Sequence, residues 1–237
     1  MRAWTERLLS AVDRCKSKDT VFEVVLEAVR HLGFDHCSYA LNLSLPLTSP
    51  KVVLIDNHPS DWRKRYSEAG YQSKDPVLLH GWRSSAPIVW SEALFAALPR
   101  MHAEARSFGL CEGWAQSSRT GSGTRGVLNL SRTHEALTEQ ELRAKEADFR
   151  WLVNVAHLAL SRVLLSKPET WLMKALTARE IEVLRWIADG KTSREAGEIL
   201  QISVDTVNFH VKNAMTKLDS VNKTSAVVKA ALLGLLH

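Results

Sequence analysis

The amino-acid sequence predicts an α+β protein with two domains: an N-terminal α/β/α sandwich with an antiparallel sheet, and a C-terminal all-α, four-helix domain containing a helix-turn-helix. Helix and strand patterns alternate as far as residue 165, whereas only helix patterns follow residue 174. A proline with small polar neighbours lies between them, as in short linkers. The predicted boundaries are residues 1–165, a linker at 166–173, and 174–237.

The N-terminal domain begins with two helices and two strands. Apolar residues at helical spacing predict a helix at residues 4–12 and another at 22–32 that ends at Gly33. Strand patterns follow at His36–Leu43 and Lys51–Asp56, and a proline-containing turn separates them. This order indicates a mixed α and β domain.

The rest of this domain contains short helices, two more strands and a long helix. Trp62 and Tyr66 are four residues apart and share one side of a helical turn, and Asp75 is a natural cap for the next helix. Strands at 111–118 and 126–132, joined by a glycine-rich turn, complete an antiparallel sheet. A capping box formed by Thr138 and Glu141 opens a helix that reaches residue 165, with an apolar stripe facing the core.

The C-terminal domain has recognisable signals for four short helices. Thr177 and Glu180 form a capping box for the first, and Gly190 ends it. Thr192 or Ser193 caps the second, Ser203 opens the third after a short turn, and residues 223–235 form the fourth. A tight turn before the third helix predicts a helix-turn-helix.

The third helix has one apolar face and one polar face. Its apolar residues Val207, Val211, Ala214 and Leu218 recur at helical spacing. The opposite side carries amide, ammonium, hydroxyl and aromatic groups suited to base edges in a major groove: Asp205, Asn208, Phe209, Lys212 and Thr216. Taken alone, this pattern favours an ordinary amphipathic helix on the protein surface. Only the helices that precede it shift the interpretation towards DNA binding.

The C-terminal region resembles the LuxR-type family of transcription regulators. The resemblance rests on LTAREIEVLRWIADGKT, GEILQIS, TVNFHVKNAMTKL and NKTSAVVKA. It implies base contacts by Asn208, Phe209 and Lys212, with Thr206, Asn213 and Lys217 nearer the phosphates. Ala196 departs from the larger aliphatic residue usual in the family, which concerns only local packing.

The N-terminal region contains aromatic residues and one carboxylate that have two interpretations. From the residues alone, core packing is favoured for Trp62, Tyr66 and Trp90, and helix capping for Asp75. Together they also suit an enclosed site for a small amphiphile. DWRKRY, YQSKDP and the Trp90 segment resemble the N-terminal domain of the acyl-homoserine-lactone receptors.

That resemblance implies a role for each matching position. Trp62 donates its indole N–H to the lactone carbonyl, Tyr66 donates its hydroxyl to the acyl carbonyl, and Asp75 accepts the ligand amide N–H. Trp90 packs on the lactone ring, and Gly113 permits close backbone approach.

Two positions depart from the family pattern on the expected pocket lining. His58 replaces a common Tyr, and Asn129 replaces a common Ser on its strand. Asn129 can still donate to the acyl carbonyl, and Ser131 lies on the same strand face. Ser38 is a further polar candidate on the first strand. These changes reshape the acyl channel, so the acyl length and 3-substituent stay open.

Composition and charge limit the classes of partner, cofactor and cellular location that the sequence allows. The net charge is +5, but residues 171–237 carry nine Lys and Arg against seven Asp and Glu, so DNA binding relies on placed donors. The three cysteines form no C-x-x-C pattern, and the histidines have no metal spacing. We therefore expect no metal and no cofactor. No apolar run approaches membrane-spanning length, and we expect a soluble cytoplasmic protein without a membrane partner.

The expected function is a quorum-sensing transcription regulator. It binds an N-acyl-homoserine lactone and controls transcription as a homodimer on a palindromic double-stranded DNA site, with the helix at 138–165 helping to pair the subunits. The alternative is a regulator of the same family that senses another small molecule or acts without ligand. A phosphorylation-controlled receiver is disfavoured because its acidic framework is missing, and an enzyme because no nucleophile or base has a catalytic context.

Overall fold

The computed structural model describes residues 3–43, 45–48, 50–120, 124–165 and 176–236. The chain divides into two compact units, one N-terminal and one C-terminal. The predicted linker at 166–173 lies outside the described residues, as do residues 121–123 of the glycine-rich turn.

The N-terminal unit contains a five-stranded antiparallel sheet in the order β2-β1-β5-β4-β3. The helices and strands are α1 (Ala3–Arg14), α2 (Lys18–His31), β1 (His36–Leu43), β2 (Lys51–Asp56), α3 (Ser60–Glu68), α4 (Pro76–Arg83), β3 (Ile88–Val89), α5 (Pro99–Ser107), β4 (Glu112–Arg119), β5 (Arg125–Arg132) and α6 (Glu139–Leu165).

Strand alternation divides this unit into two layers of helices around one sheet. Tyr39 and Leu41 of β1 lie in a core shared with α1, α2 and α6, whereas Ala40 packs with Leu78 of α4 on the other face. That second face also carries the aromatic cluster of α3 and α5. The α/β/α sandwich predicted from the sequence is confirmed, and each face of the sheet has its own apolar core.

Helix α5 and the short strand β3 are absent from the sequence predictions. Helix α5 buries only Met101 and Ala105, so its apolar pattern spans a single turn. Pro99 occupies its first turn, where a missing N–H costs nothing. A pattern this short carries little periodic signal, which explains why the sequence did not predict the helix.

The start of α6 differs from the predicted capping box. Thr138 Oγ1 accepts from the backbone N–H of Glu141, as predicted. The Glu141 carboxylate instead accepts bidentate hydrogen bonds from Arg132 at 2.7 and 3.1 Å, and one from Lys145 at 2.9 Å. Charged donors bind a carboxylate more strongly than a neutral peptide N–H does, so the tertiary contact takes this side chain.

The C-terminal unit contains α7 (Ala178–Ala188), α8 (Ser193–Leu200), α9 (Val204–Lys217) and α10 (Lys223–Leu232). Capping boxes at Thr177 and Thr192 begin α7 and α8, and Ser203 caps α9. Helix α10 ends three residues before the predicted residue 235, where Gly234 adopts φ +66°. The predicted four-helix domain is confirmed.

The turn between α8 and α9 depends on one glycine. A Cβ on Gly197 would lie 2.8 Å from the carbonyl oxygen of Ile202, closer than real contacts allow. Gln201 then adopts a left-handed conformation with φ 54°. This tight reversal places α9 directly after α8 and buries Val207, Val211, Ala214 and Leu218 as predicted.

Candidate ligand cavity and DNA-contacting helix

A cavity of about 220 Å³ lies between the sheet and helices α3, α4 and α5. It has an apolar wall and several polar groups, the composition expected of a small-molecule site. The lining residues are Ser38, Leu54, Asp56, His58, Trp62, Arg63, Tyr66, Ser67, Gln72, Asp75, Val77, Leu78, Trp90, Phe95, Met101, Ala105, Leu110 and Asn129. Seven of the nine residues predicted for a ligand site are among them.

The floor of the cavity is a row of polar side chains on three adjacent strands. Ser38 on β1 is paired in register with Asp56 on β2 and with Asn129 on β5. Paired residues project from the same face of an antiparallel sheet, so these three side chains all face the cavity helices. Ser38 and Asn129 are each 8% exposed.

Asn129 is oriented by Trp90. The indole Nε1 of Trp90 donates to Asn129 Oδ1 at 3.1 Å. Since an indole N–H only donates, the amide oxygen faces Trp90 and the amide NH₂ group is left to serve as a donor elsewhere.

Gly113 permits the close approach of Trp90 to the sheet. A Cβ at Gly113 would lie 2.4 Å from ring atoms of Trp90, a distance that no side chain tolerates. Gly113 itself is outside the cavity lining. The close approach predicted for this glycine is therefore made by Trp90, and a ligand would meet the Trp90 ring rather than the Gly113 backbone.

Tyr66 and Asp75 form a buried hydrogen-bonded pair. The Tyr66 hydroxyl donates to Asp75 Oδ2 at 2.8 Å, and Asp75 Oδ1 accepts the backbone N–H of Val77 at 2.8 Å as the cap of α4. Burial raises the pKa of Asp75, an effect opposed by the Tyr66 and Val77 hydrogen bonds. Asp75 thus combines the cap role with a place in the cavity, so the two interpretations of the sequence are both compatible with the geometry.

This pair changes the predicted role of Tyr66. A phenol has one proton, and in the structure that proton goes to Asp75. Donation to a ligand carbonyl therefore requires the Tyr66–Asp75 hydrogen bond to open. The sequence could not show this competition because it depends on the spatial distance between α3 and the start of α4.

Trp62 lines the same cavity and is 3% exposed. Its ring lies 5.7 Å from that of Tyr66 and 6.1 Å from that of Tyr71. None of the hydrogen bonds among the described residues uses its indole N–H. The donor is therefore available to an acceptor inside the cavity.

His58 follows β2 and lines the cavity beside Asp56. Its backbone N–H donates to Asp56 Oδ1 at 3.0 Å, and its ring Nδ1 lies 3.7 Å from the same oxygen. Burial, with the neighbouring His36 and Arg63, lowers the pKa of His58 to about 3, so the ring is neutral at physiological pH. Its Nε2 is buried and has no hydrogen-bond partner within the described residues.

Ser131 lies outside the cavity lining, although it shares a strand face with Asn129. It is paired with Gly113, under the part of the sheet that Trp90 covers. The predicted contact with a ligand is therefore not supported by its position.

Several lining residues were absent from the sequence prediction. Leu54 and Asp56 alternate on β2, and this period of two could have indicated a shared face. Met101 and Ala105 lie on α5, which the sequence did not predict. Leu110 and Phe95 lie in the segments flanking that helix.

Helix α9 presents the polar face that the sequence predicted. Asn208 and Lys212 are exposed, and Phe209 is 60% exposed despite being aromatic. Thr206 and Asn213 are partly buried at its edges, and Thr206 Oγ1 lies 2.8 Å from the Oγ of the cap Ser203. The side chain of Lys212 has no hydrogen bond or ion pair within the described part of the chain.

Lys217 has a different environment from Lys212. Its ammonium donates to Glu180 Oε2 at 2.8 Å, and the Glu180 side chain is 4% exposed. Burial opposes ionisation of Glu180, but hydrogen bonds from Lys217 and Thr177 hold its pKa below the usual range. The predicted phosphate contact thus competes with an ion pair inside the domain.

Comparison with known proteins covers both units. Residues 17–160 match the autoinducer binding domain, and residues 174–230 match the bacterial regulatory proteins of the luxR family. The chain belongs to the LuxR family of transcription regulators.

Curated LuxR-family relatives align along almost the whole chain. The transcriptional activator protein AnoR of Acinetobacter nosocomialis is 42% identical over 238 residues and covers 100% of both chains. The quorum-sensing regulator RhlR of Pseudomonas aeruginosa is 36% identical, covering 98% of this chain and 96% of its own. The crystal structure of Escherichia coli SdiA matches with a TM-score of 0.83 at 31% identity, covering 99% of this chain and 98% of that one.

These relatives establish the class of protein. The chain is an autoinducer-binding, DNA-binding transcription regulator of quorum-sensing type, and the relatives are regulators rather than enzymes, as predicted. Among the described residues no helix is long and apolar enough to cross a membrane.

Proposed function

We propose that this regulator binds an N-acyl-homoserine lactone in the cavity and acts as a homodimer on a palindromic promoter site in the cytoplasm. The observation that carries the ligand assignment is the polar set facing one apolar cavity: the Tyr66–Asp75 pair, the indole of Trp62 and the amide of Asn129. An acyl-homoserine lactone offers one amide N–H and two carbonyl oxygens. The donor and acceptor inventory of these side chains matches those groups.

The Tyr66–Asp75 hydrogen bond supplies an exchange site for the ligand amide. A ligand N–H that donates to Asp75 Oδ2 replaces the Tyr66 hydroxyl there, and the released hydroxyl donates to the acyl carbonyl. Each broken hydrogen bond is replaced, so the exchange leaves no buried group unsatisfied. The NH₂ group of Asn129 is a second donor for the acyl carbonyl.

The lactone ring belongs at the apolar end of the cavity in this proposal. Trp62 donates its indole N–H to the lactone carbonyl, and Trp90 with Phe95 and Met101 covers the ring. Leu54, Val77 and Leu78 then surround the acyl chain. The volume of about 220 Å³ is below the usual ~300–1,000 Å³ range of ligand pockets, which favours a compact ligand.

On the DNA side, Asn208 and Lys212 are the proposed readers of base edges. An exposed Asn can pair with adenine and an exposed Lys can donate to guanine, and Phe209 offers an apolar contact to a thymine methyl. Thr206, Asn213 and Lys217 lie at the sides of the helix nearer a phosphate backbone. Of these, Lys217 contacts DNA only when its ion pair with Glu180 opens.

The experiment that tests the ligand assignment is mass spectrometry of small molecules extracted from protein expressed with and without a panel of acyl-homoserine lactones. A co-purifying lactone that raises the thermal midpoint supports the proposal. The Asp75→Asn variant should lose most of this binding, because an amide is a weaker acceptor than a carboxylate and its NH₂ group faces the ligand N–H. A folded wild-type protein that takes up no lactone contradicts the assignment.

A second candidate is a ligand with an acyl chain but no lactone. One solved structure of SdiA, which is 32% identical to this chain with a TM-score of 0.83, is a complex with octanoyl-rac-glycerol. An ester carbonyl and glycerol hydroxyls could also use Tyr66, Trp62 and Asn129. Including a monoacylglycerol in the same extraction experiment distinguishes the two, since only the lactone has an amide N–H for Asp75.

A further inference from the structure

The cavity lining includes three buried polar side chains on and beside strands β1 and β2, the Ser38–Asp56–His58 cluster. Ser38 is 8% exposed, and the side chains of Asp56 and His58 are 9% and 10% exposed. All three line the cavity. An apolar acyl chain needs no polar neighbours, so this cluster calls for a ligand group that satisfies it.

Hydrogen-bonding capacity in the cluster is unused. The Nε2 atom of His58 is buried without a partner, and the Ser38 hydroxyl takes part in none of the hydrogen bonds within the described ranges. Asp56 accepts the backbone N–H of His58 through Oδ1, which leaves lone pairs on Oδ2. Leaving such groups buried and unpaired is unfavourable, and a complementary ligand gains affinity by pairing them.

The His58 tautomer decides what the cluster can bind. Ring Nδ1 lies 3.7 Å from the Asp56 carboxylate, whose charge favours the proton on that nitrogen. Nε2 is then a bare acceptor. Asp56 and His58 thus both present acceptors to the cavity, while Ser38 can donate or accept.

The strand register places the cluster within reach of the third carbon of an acyl chain held at Asn129. Ser38 and Asn129 are paired on neighbouring strands, which are about 4.8 Å apart. If the acyl carbonyl lies at Asn129, as in the proposed function, the third carbon is two bonds further along, a span shorter than the spacing between the two strands. An acyl chain that runs from Asn129 along this row of side chains brings that carbon beside Ser38. Asp56 lies on the next strand, and His58 comes two residues after the end of that strand.

Arg63 is the one cation beside the cluster in the described part of the cavity lining. Its Nε lies 3.8 Å from Asp56 Oδ1, beyond a hydrogen bond, and its side chain is 55% exposed. Burial raises the pKa of Asp56 above its usual range, and Arg63 and the His58 backbone N–H oppose this effect. Within the cluster, Ser38 is the donor for an acceptor on the ligand, because the NH₂ group of the neighbouring Asn129 is assigned to the acyl carbonyl in the proposed function.

We infer that the Ser38–Asp56–His58 cluster selects an acyl-homoserine lactone with a hydroxyl group on the third acyl carbon. The hydroxyl donates to an acceptor of Asp56 or His58, and its oxygen accepts from Ser38. A 3-oxo group can accept from Ser38 but offers no donor to Asp56 or His58, and an unsubstituted chain pairs none of the three. This inference rests on the proposed lactone ligand and specifies its substituent.

The test is calorimetric titration of the full-length chain with three lactones of equal acyl length: 3-hydroxy, 3-oxo and unsubstituted. We expect the 3-hydroxy lactone to bind at least about tenfold more tightly than the other two, the effect of one or two satisfied hydrogen bonds. Equal affinity for all three, or a preference for the 3-oxo lactone, overturns the inference. Failure of every lactone to bind contradicts the proposed function instead.

Variants assign any preference to the cluster. Ser38→Ala and His58→Phe should each bring the affinities for the three lactones to within about threefold of one another. Both variants should still bind the unsubstituted lactone, and that binding shows that the fold is intact. Ser117→Ala is the matched control, because Ser117 is buried on the same face of the sheet but outside the cavity lining. The Ser117 hydroxyl donates to the backbone carbonyl of Ser84. This control should retain the full preference. An unchanged preference in both cluster variants overturns the inference.

Discussion

At the residue scale, the two lysines of α9 have different surroundings. Lys212 is exposed and its side chain is unpaired within the described residues, whereas Lys217 is paired with the buried Glu180. Both are basic residues on one helix, and the resemblance to the family assigned both to DNA. Their local environments predict different consequences for substitution.

Replacing Lys212 by Ala should weaken binding by about 1–3 kcal/mol at one base pair and relax specificity there. The reason is that the side chain can reach a base edge without breaking an internal contact. Binding to a set of operator sequences altered one position at a time measures the effect. Equal weakening on every sequence would instead assign Lys212 to a phosphate.

Replacing Lys217 by Ala should destabilise the C-terminal unit by about 1–3 kcal/mol, because the Glu180 carboxylate is left buried without its cation. Denaturant unfolding measures this, with the exposed Lys223→Ala as control, expected within about 0.5 kcal/mol of wild type. Since the folded pKa of Glu180 is below the ordinary ~4.3, this stabilisation is present at neutral pH and lost as pH falls through the folded pKa. Unchanged stability in Lys217→Ala would show that the ion pair contributes nothing.

The cavity residues also have partners that the sequence alone does not reveal. The sequence indicated Trp62, Tyr66, Asp75 and Trp90 by chemical type, and all four line the cavity. It could not indicate that the proton of Tyr66 is held by Asp75. It also could not show that Gly113 makes room for Trp90, because both facts depend on distances across the fold.

At the scale of elements, α6 presents an exposed leucine on its outer face. Leu158 is 62% exposed and is one of the outward-facing positions expected near Leu160, which lies on the apolar stripe and is fully buried in the core. A single exposed leucine is common on protein surfaces, so Leu158 does not by itself identify an interface. It provides a position on the outer face of α6 at which the predicted pairing of two subunits can be tested.

Replacing Leu158 by Glu should raise the dimer dissociation constant at least about tenfold, because a charge replaces an apolar contact at the pairing surface. Sedimentation across a concentration series measures it. The control is Leu47→Glu, which changes a leucine that is 58% exposed and lies outside α6. Dimers as stable as wild type in Leu158→Glu would remove α6 from the interface.

Signals in neighbouring residues predicted most helices and strands. They failed where a side chain pairs across the domain or where a helix buries few residues. The caps Thr177, Thr192 and Ser203 satisfy the first N–H groups of their own helices, so the signal is contained in neighbouring residues. Glu141 had the same signal but pairs with Arg132 across the domain. Helix α5 had almost none, since only two of its side chains are buried.

At the scale of the whole molecule, the chain combines two units with separate cores. The cavity belongs to the N-terminal unit and the exposed helix α9 to the C-terminal unit. None of the described residues of the C-terminal unit lines the cavity, so we expect ligand binding to stabilise the N-terminal unit directly.

A saturating autoinducer should raise the unfolding free energy of the N-terminal unit by RT ln(1 + [L]/Kd), about 2.7 kcal/mol at a hundredfold excess over Kd. The unfolding transition of the C-terminal unit should stay within about 0.5 kcal/mol. Calorimetry of the full chain with and without ligand checks this, and Asp75→Asn should abolish the shift. Equal shifts in both transitions would show that the two units unfold together.

The sequence by itself determined the two-domain organisation, the family and the chemical type of most site residues. These properties are encoded by period, caps and motifs within short segments of chain, which neighbouring residues suffice to specify. Only the tertiary structure decided which groups are already paired: Tyr66 with Asp75, Trp90 with Asn129, and Lys217 with Glu180. It also brought Ser38, Asp56 and His58 together in the cavity lining, because strand register joins residues that lie far apart in the chain.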